Sequence, residues 1–225
     1  MKIQLVISRY QESLDWIHEY SIPTIIYNKG SGDFEKNDNS IVCELPNLGR
    51  EGHTYLHHII THYDNLADVT IFFPGSLSSI PNKYGNTYKY NKSKTVMKYA
   101  LQGKGVIMGV KINNLPKLMH NFTLDEWGCT DEANIQGSCS KTEPATIRPF
   151  GKWYTHFFGS IPCNYFVSGG VFAIHKSDIT KRPIAYYIRL IQELQTHNPE
   201  AGHYLERSWQ AVFTPDNAFY LPYKY

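Results

Sequence analysis

Leu66-Ala67-Asp68-Val69-Thr70-Ile71-Phe72-Phe73-Pro74-Gly75 reads as a buried strand of an α/β sheet that stops abruptly in a turn. In open α/β sheets, ligands gather at the carboxyl ends of the strands. Phe73-Pro74-Gly75-Ser76 stands at that end and carries no carboxylate. An anion bound there would need its counter-charge, and a metal its ligands, from other segments.

Upstream, Ile3-Gln4-Leu5-Val6-Ile7 is a second short apolar run. Ser13 precedes Leu14, Ile17 and Tyr20 at helical spacing, and Pro23 closes that segment before the strand pattern Thr24-Ile25-Ile26-Tyr27. This is a βαβ-like opening. A polar loop around Gly30, Gly32 and Asp33 leads to Leu45-Pro46-Asn47-Leu48-Gly49-Arg50. A helix follows, carrying Tyr55, Leu56, Ile59, Ile60 and Tyr63.

Downstream, residues 74–105 read as loops around a basic helix near Ser93 to Leu101, and Val106 to Ile112 as a strand. The long segment 120–165 shows no clear periodicity, which in a compact domain points to a functional loop. Ser168-Gly169-Gly170-Val171-Phe172-Ala173-Ile174 is a strand entered through two glycines. Helices follow, one after Pro183 and one from about Gly202 to Phe213. The pattern predicts one domain over residues 1–225, with a doubly wound, mostly parallel sheet flanked by helices.

Bulk composition narrows the function. With 225 residues, 42% apolar and 19% charged, the chain is an ordinary globular one. A net charge of +2 gives no polyanion footprint, so nucleic acid is not expected as a partner. Met1 is followed almost at once by a strand pattern rather than a leader, and no apolar run reaches membrane-spanning length. Cys43, Cys129, Cys139 and Cys163 show no CxxC spacing, which fits reduced thiols and a cytoplasmic protein better than a zinc ribbon, although Cys129 and Cys139 could bridge a loop.

Several segments together carry a resemblance: Val6-Ile7-Ser8-Arg9-Tyr10-Gln11-Glu12, Tyr27-Asn28-Lys29-Gly30, Asn47-Leu48-Gly49-Arg50-Glu51-Gly52-His53, Ala67 to Phe73, Gly170 to Ile174 and Leu205-Glu206-Arg207-Ser208-Trp209. They resemble an uncharacterised family of unknown function found in fungi, algae, bacteria and large DNA viruses, itself similar to GT-A glycosyltransferases. The resemblance implies a single GT-A-like domain. It also implies transfer of a sugar from a nucleotide-sugar donor to a glycan or other hydroxyl acceptor. The family's relatives often hold manganese through an Asp-x-Asp motif at the end of a strand such as Val69–Phe73, and that motif is absent here. Basic side chains are therefore expected to replace the metal, with a weak metal on Asp68 or Glu206 as the lesser expectation.

The residues divide by role. Arg9 and Glu12 follow strand one, where the nucleoside part of a donor would lie. Lys29 ends strand two beside Gly30, and Arg50 opens a helix whose free N–H groups favour an anion. With Arg207 these are the expected nucleotide and diphosphate residues. Glu51, His53, Ser168, Gly169, Gly170 and Trp153 are expected to approach the sugars. Glu206 is the expected general base, with His203 beside it. Each has a plainer reading as ion pair, turn or core residue. His53/His57 and His58/His62 are i,i+4 pairs without a HExxH motif, so a metal hydrolase ranks below both a transferase and a catalytically degenerate binding protein.

Overall fold

The computed structural model describes residues 1–78, 87–111, 120–125, 142–162, 164–167, 169–216 and 218–222. The strands are Ile3–Arg9 (β1), Thr24–Asn28 (β2), Ser40–Glu44 (β3), Val69–Pro74 (β4), Gly105–Lys111 (β5), Tyr165–Phe166 (β6), Phe172–His175 (β7) and Ala218–Pro222 (β8). The helices are Arg50–Thr61 (α1), Tyr88–Ala100 (α2), Phe150–Phe158 (α3), Lys176–Thr180 (α4), Ile184–Gln192 (α5) and Glu200–Phe213 (α6).

They form one mixed sheet of order β3-β2-β1-β4-β7-β5-β6, with β8 pairing β5. The half built from β3, β2, β1 and β4 is parallel throughout, and β7 is antiparallel to both β4 and β5. Register aligns the carboxyl ends: Arg9 lies opposite Asn28, and Ser8 opposite Pro74. Three strand ends and the loops leaving them therefore share one edge.

Alternation along the strands feeds two cores. Val6, Tyr27, Phe72 and Phe172 pack with α1, α3, α5 and α6 on one face. Leu5, Ile7, Ile26, Ile71 and Phe73 pack with α2 and the 3-10 segment Asp15–Glu19 on the other. Burial on both faces is why β1 and β4 read as continuous apolar runs.

Some expectations shift. Ser13 caps no α-helix: its hydroxyl donates to Asp15, and a 3-10 helix begins at Asp15. A 3.0-residue turn brings Leu14, Ile17 and Tyr20 together as readily as an α-turn does. The basic helix starts earlier, at Tyr88. The irregular segment contains α3, whose ring-rich sequence packs Phe150, Trp153, Tyr154 and Phe158 inward. The last helix begins at Glu200 behind Pro199. Ile112, Trp127, Cys129, Cys139, Cys163 and Ser168 lie outside the described residues.

Candidate functional site

A cleft of about 240 Å³ opens at the shared strand-end edge. Ser8, Arg9 and Pro74 bring the ends of β1 and β4 to it, Lys29 follows β2, Arg50 and Glu51 open α1, and Lys89 comes from the first turn of α2. Serine–threonine pairing between Ser8 Oγ and Thr54 Oγ1, 2.8 Å, ties β1 to α1 beneath the cleft.

Arg9 is buried and shapes the rim. Its guanidinium donates to Asn28 Oδ1 at 2.6 Å and to the carbonyls of Glu12 and Tyr10 at 3.0 and 3.1 Å, and it stacks on Phe34 at 4.1 Å. Glu12 folds back so that its Oε2 accepts the Tyr10 N–H at 2.7 Å. Gly30 approaches backbone rather than open space: a Cβ there would fall on the Tyr10 carbonyl oxygen.

The N-terminus of α1 is unusual. Gly49 and Arg50 both have left-handed φ, 57° and 53°. Lys29 Nζ donates to the carbonyls of Leu48 and Arg50 at 2.6 and 2.5 Å. Arg50 Nη1 donates to His203 Nε2 at 3.1 Å, with its Nε 3.9 Å from Glu51. Burial holds the His203 ring down to about 3, helped by Arg50 and Arg207, so it is a neutral acceptor. Burial pushes the Glu51 carboxyl up, but Arg50 and Lys89 outweigh it and keep the group below its ordinary value.

A second, smaller hollow shares Arg50 and Glu51 and adds Gly52, Gly202, His203, Glu206 and Trp209. Glu206 Oε1 accepts the Gly169 N–H at 2.5 Å. Gly170, at φ 61°, passes so close that a Cβ would sit 3.0 Å from Glu51 Cγ and 3.2 Å from the Tyr55 hydroxyl. The two glycines thus bring the strand entry against both acids.

Other expected residues lie elsewhere. Trp153 is in the core, its Nε1 donating to Glu193 at 3.2 Å. The Arg207 guanidinium sits between the rings of Phe122 and Phe166, at 4.7 and 5.2 Å, and donates to the His203 carbonyl. Asp68 is at the opposite end of β4, where its Oδ2 accepts the Lys2 N–H. It is no ligand for this cleft.

Among the lining residues that the sequence reading of the site did not name are Asn47, Lys89, His197 and Asn198. Lys89 stood within a basic stretch already visible in the sequence. His197 and Asn198 gave no signal, because a long-range bond from Gly49 N–H to the Thr196 carbonyl, 2.8 Å, delivers them. Asn198 is 2% exposed and its Oδ1 has no partner.

The donor set suits an anion better than a divalent cation. Glu12 is bonded to backbone, Glu51 stands beside Arg50 and Lys89, and no group of three metal-binding side chains occurs among the described residues.

Two of the helix histidines pack into the interior. His53 and His58 are buried, and His58 Nδ1 pairs with the Tyr27 hydroxyl at 3.1 Å while its Nε2 has no partner. Burial holds His58 down to about 3 and His53 to about 4. Both pKa values lie below the ordinary 6.5, so between these limits the unfolded chain binds more protons. Stability is therefore full above about pH 6.5 and falls toward pH 4, by about 1 kcal/mol per pH unit for each histidine. Urea midpoints measured across that range check this, and His58→Asn should flatten the fall.

Among the described residues, no helix is long and apolar enough to cross a membrane. The sequence model of a family described as protein of unknown function (DUF3431) matches residues 5–224. No curated protein matches the chain.

Proposed function

We propose that this chain, which belongs to the DUF3431 family over residues 5–224, uses the strand-end cleft to bind a nucleotide sugar and transfer its glycosyl group to a hydroxyl acceptor. One observation carries the reading. Arg9, Arg50, Lys89 and the first turn of α1 converge where β1, β2 and β4 end, and no group of three metal-binding side chains occurs there among the described residues. A helix N-terminus with arginine and lysine beside it is a diphosphate site in both field and hydrogen-bonding capacity. The resemblance of the same segments to GT-A transferases supports a glycosyl donor over other diphosphates.

In this reading the turn shaped by Arg9 and Glu12 receives the nucleoside, and Arg50 and Lys89 face the diphosphate. Asn47, His197 and Asn198 face hydroxyl groups. Glu206 takes the proton of the acceptor hydroxyl. That oxygen bonds to the anomeric carbon as the bond to the diphosphate oxygen breaks, and the nucleoside diphosphate leaves with the electron pair. Charge stabilisation of the leaving group by fixed cations is the main catalytic contribution.

The test is release of nucleoside diphosphate from a panel of nucleotide sugars, each offered mono- and oligosaccharide acceptors. One donor should be turned over, and Arg50→Met should abolish the release. Tight binding of a donor with no turnover under any acceptor would leave the degenerate binding protein as the better reading.

A further inference from the structure

Lys29 is 8% exposed, and two of its N–H groups go to the carbonyls of Leu48 and Arg50. Those carbonyls bracket Gly49 and Arg50, the two residues with left-handed φ. A non-glycine residue in that region is strained and persists only where its surroundings hold it. Arg50 is such a residue: it lines the cleft, its guanidinium donates to His203 in the adjoining hollow, and it lies 3.9 Å from Glu51, which lines both.

We infer that Lys29 is a positioning residue: its ammonium clasps the Gly49–Arg50 turn so that the Arg50 guanidinium is held where the cleft meets the adjoining hollow, and an anion entering the cleft is bound together with a proton on Lys29. The second half rests on the proposed diphosphate site; the first stands without it.

The surroundings fit a proton balanced near neutrality. From α1, Arg50, Glu51, His53 and His57 face Lys29; from β1, Arg9; from β3, Glu44 through Asn28; and His197 lines the same cleft. Burial lowers the Lys29 ammonium to about 7, and Glu51 opposes that only in part. His53 and His57 are themselves held below the ordinary histidine value by burial. An anion beside Lys29 adds the missing negative charge and favours the protonated form. Affinity for an anion should then be greatest below about pH 7 and fall as pH rises through it. Lys92 on α2 is the control. It is also buried and lowered to about 7, but it faces Glu206 and Lys89 rather than the Gly49–Arg50 turn.

The experiment follows the ¹⁵N resonances of Lys29 Nζ and Arg50 Nε from about pH 5.5 to about pH 9, in the parent, Lys29→Arg and Lys92→Met proteins. Calorimetry measures sulfate affinity over the same range, since sulfate does not titrate there. In the parent, Arg50 Nε should shift with the midpoint of Lys29, and sulfate affinity should fall about tenfold. Lys92→Met should behave like the parent, and Lys29→Arg should be flat in both readouts. An Arg50 resonance that ignores the Lys29 midpoint, a profile that persists in Lys29→Arg, or one that vanishes in Lys92→Met overturns the inference. If Lys29→Arg does not fold, the parent correlation and Lys92→Met decide. Sulfate that does not bind overturns the anion half. Nucleotide sugars that fail to bind while Arg50 still follows Lys29 would remove the proposed function and leave the clasp.

Discussion

Glu200→Ala should destabilise the protein by about 2–6 kcal/mol, mainly because two buried backbone donors lose their acceptor. Glu200 is 1% exposed at the first turn of α6. Its Oε1 accepts the Leu124 N–H at 2.7 Å, its Oε2 accepts the Ala145 N–H at 2.9 Å, and Arg148 lies 2.7 Å away. The alanine strands two backbone donors, each worth about 1–3 kcal/mol when buried without a partner. Arg148 retains Asp125, so its loss is partial. Glu200→Gln keeps one acceptor oxygen and should cost less. Urea unfolding of the two variants and the parent measures both. A change below about 1 kcal/mol for the alanine would mean that water replaces the carboxylate there.

Glu206→Gln should lower turnover about a hundred- to ten-thousand-fold, the range of general-base assistance, with donor affinity unchanged. Glutamine keeps an oxygen for the Gly169 N–H, so the Gly169–Gly170 entry to β7 should hold. It removes the basic carboxylate and the negative charge that opposes the low pKa of buried Lys92. Single-turnover rates beside equilibrium donor binding separate the two effects. Parental turnover in Glu206→Gln would pass the role to Glu51, the acid that lines both hollows.

The sheet was legible where burial on both faces leaves an unbroken apolar run, as in Leu5-Val6-Ile7 and Val69 to Phe73. It was not legible at β3, an edge strand whose Ile41 is 63% exposed and whose pattern is half polar. Nor was it legible at β8, which is defined by pairing with a strand about a hundred residues earlier in sequence. Helix α3 was hidden within the long segment read as irregular, although Phe150, Trp153, Tyr154 and Phe158 stand at helical spacing there.

At the site, Arg9, Lys29, Arg50 and Glu51 could be found because strand ends and helix starts are places the sequence marks. Their bonding could not. Nothing local says that Lys29 will meet two carbonyls, or that Arg9 will serve a rim of backbone oxygens. Trp153 reads as a sugar platform only until the packing of α3 against α6 places it in the core. Asn198 sits in the cleft because a loop across the fold docks on Gly49, a fact carried by tertiary pairing alone.

The proposed diphosphate site works through arginine, lysine and a helix N-terminus rather than a metal. Equilibrium calorimetry of a nucleotide-sugar panel, run once with a chelator and once with manganese, tests it most directly. At least one nucleotide sugar should bind with the same dissociation constant in both conditions, and Arg50→Met should lose about 1.5–3 kcal/mol of that affinity, the worth of a charge-assisted hydrogen bond. Binding that appears only when manganese is supplied, or no binding by any nucleotide sugar, would contradict it.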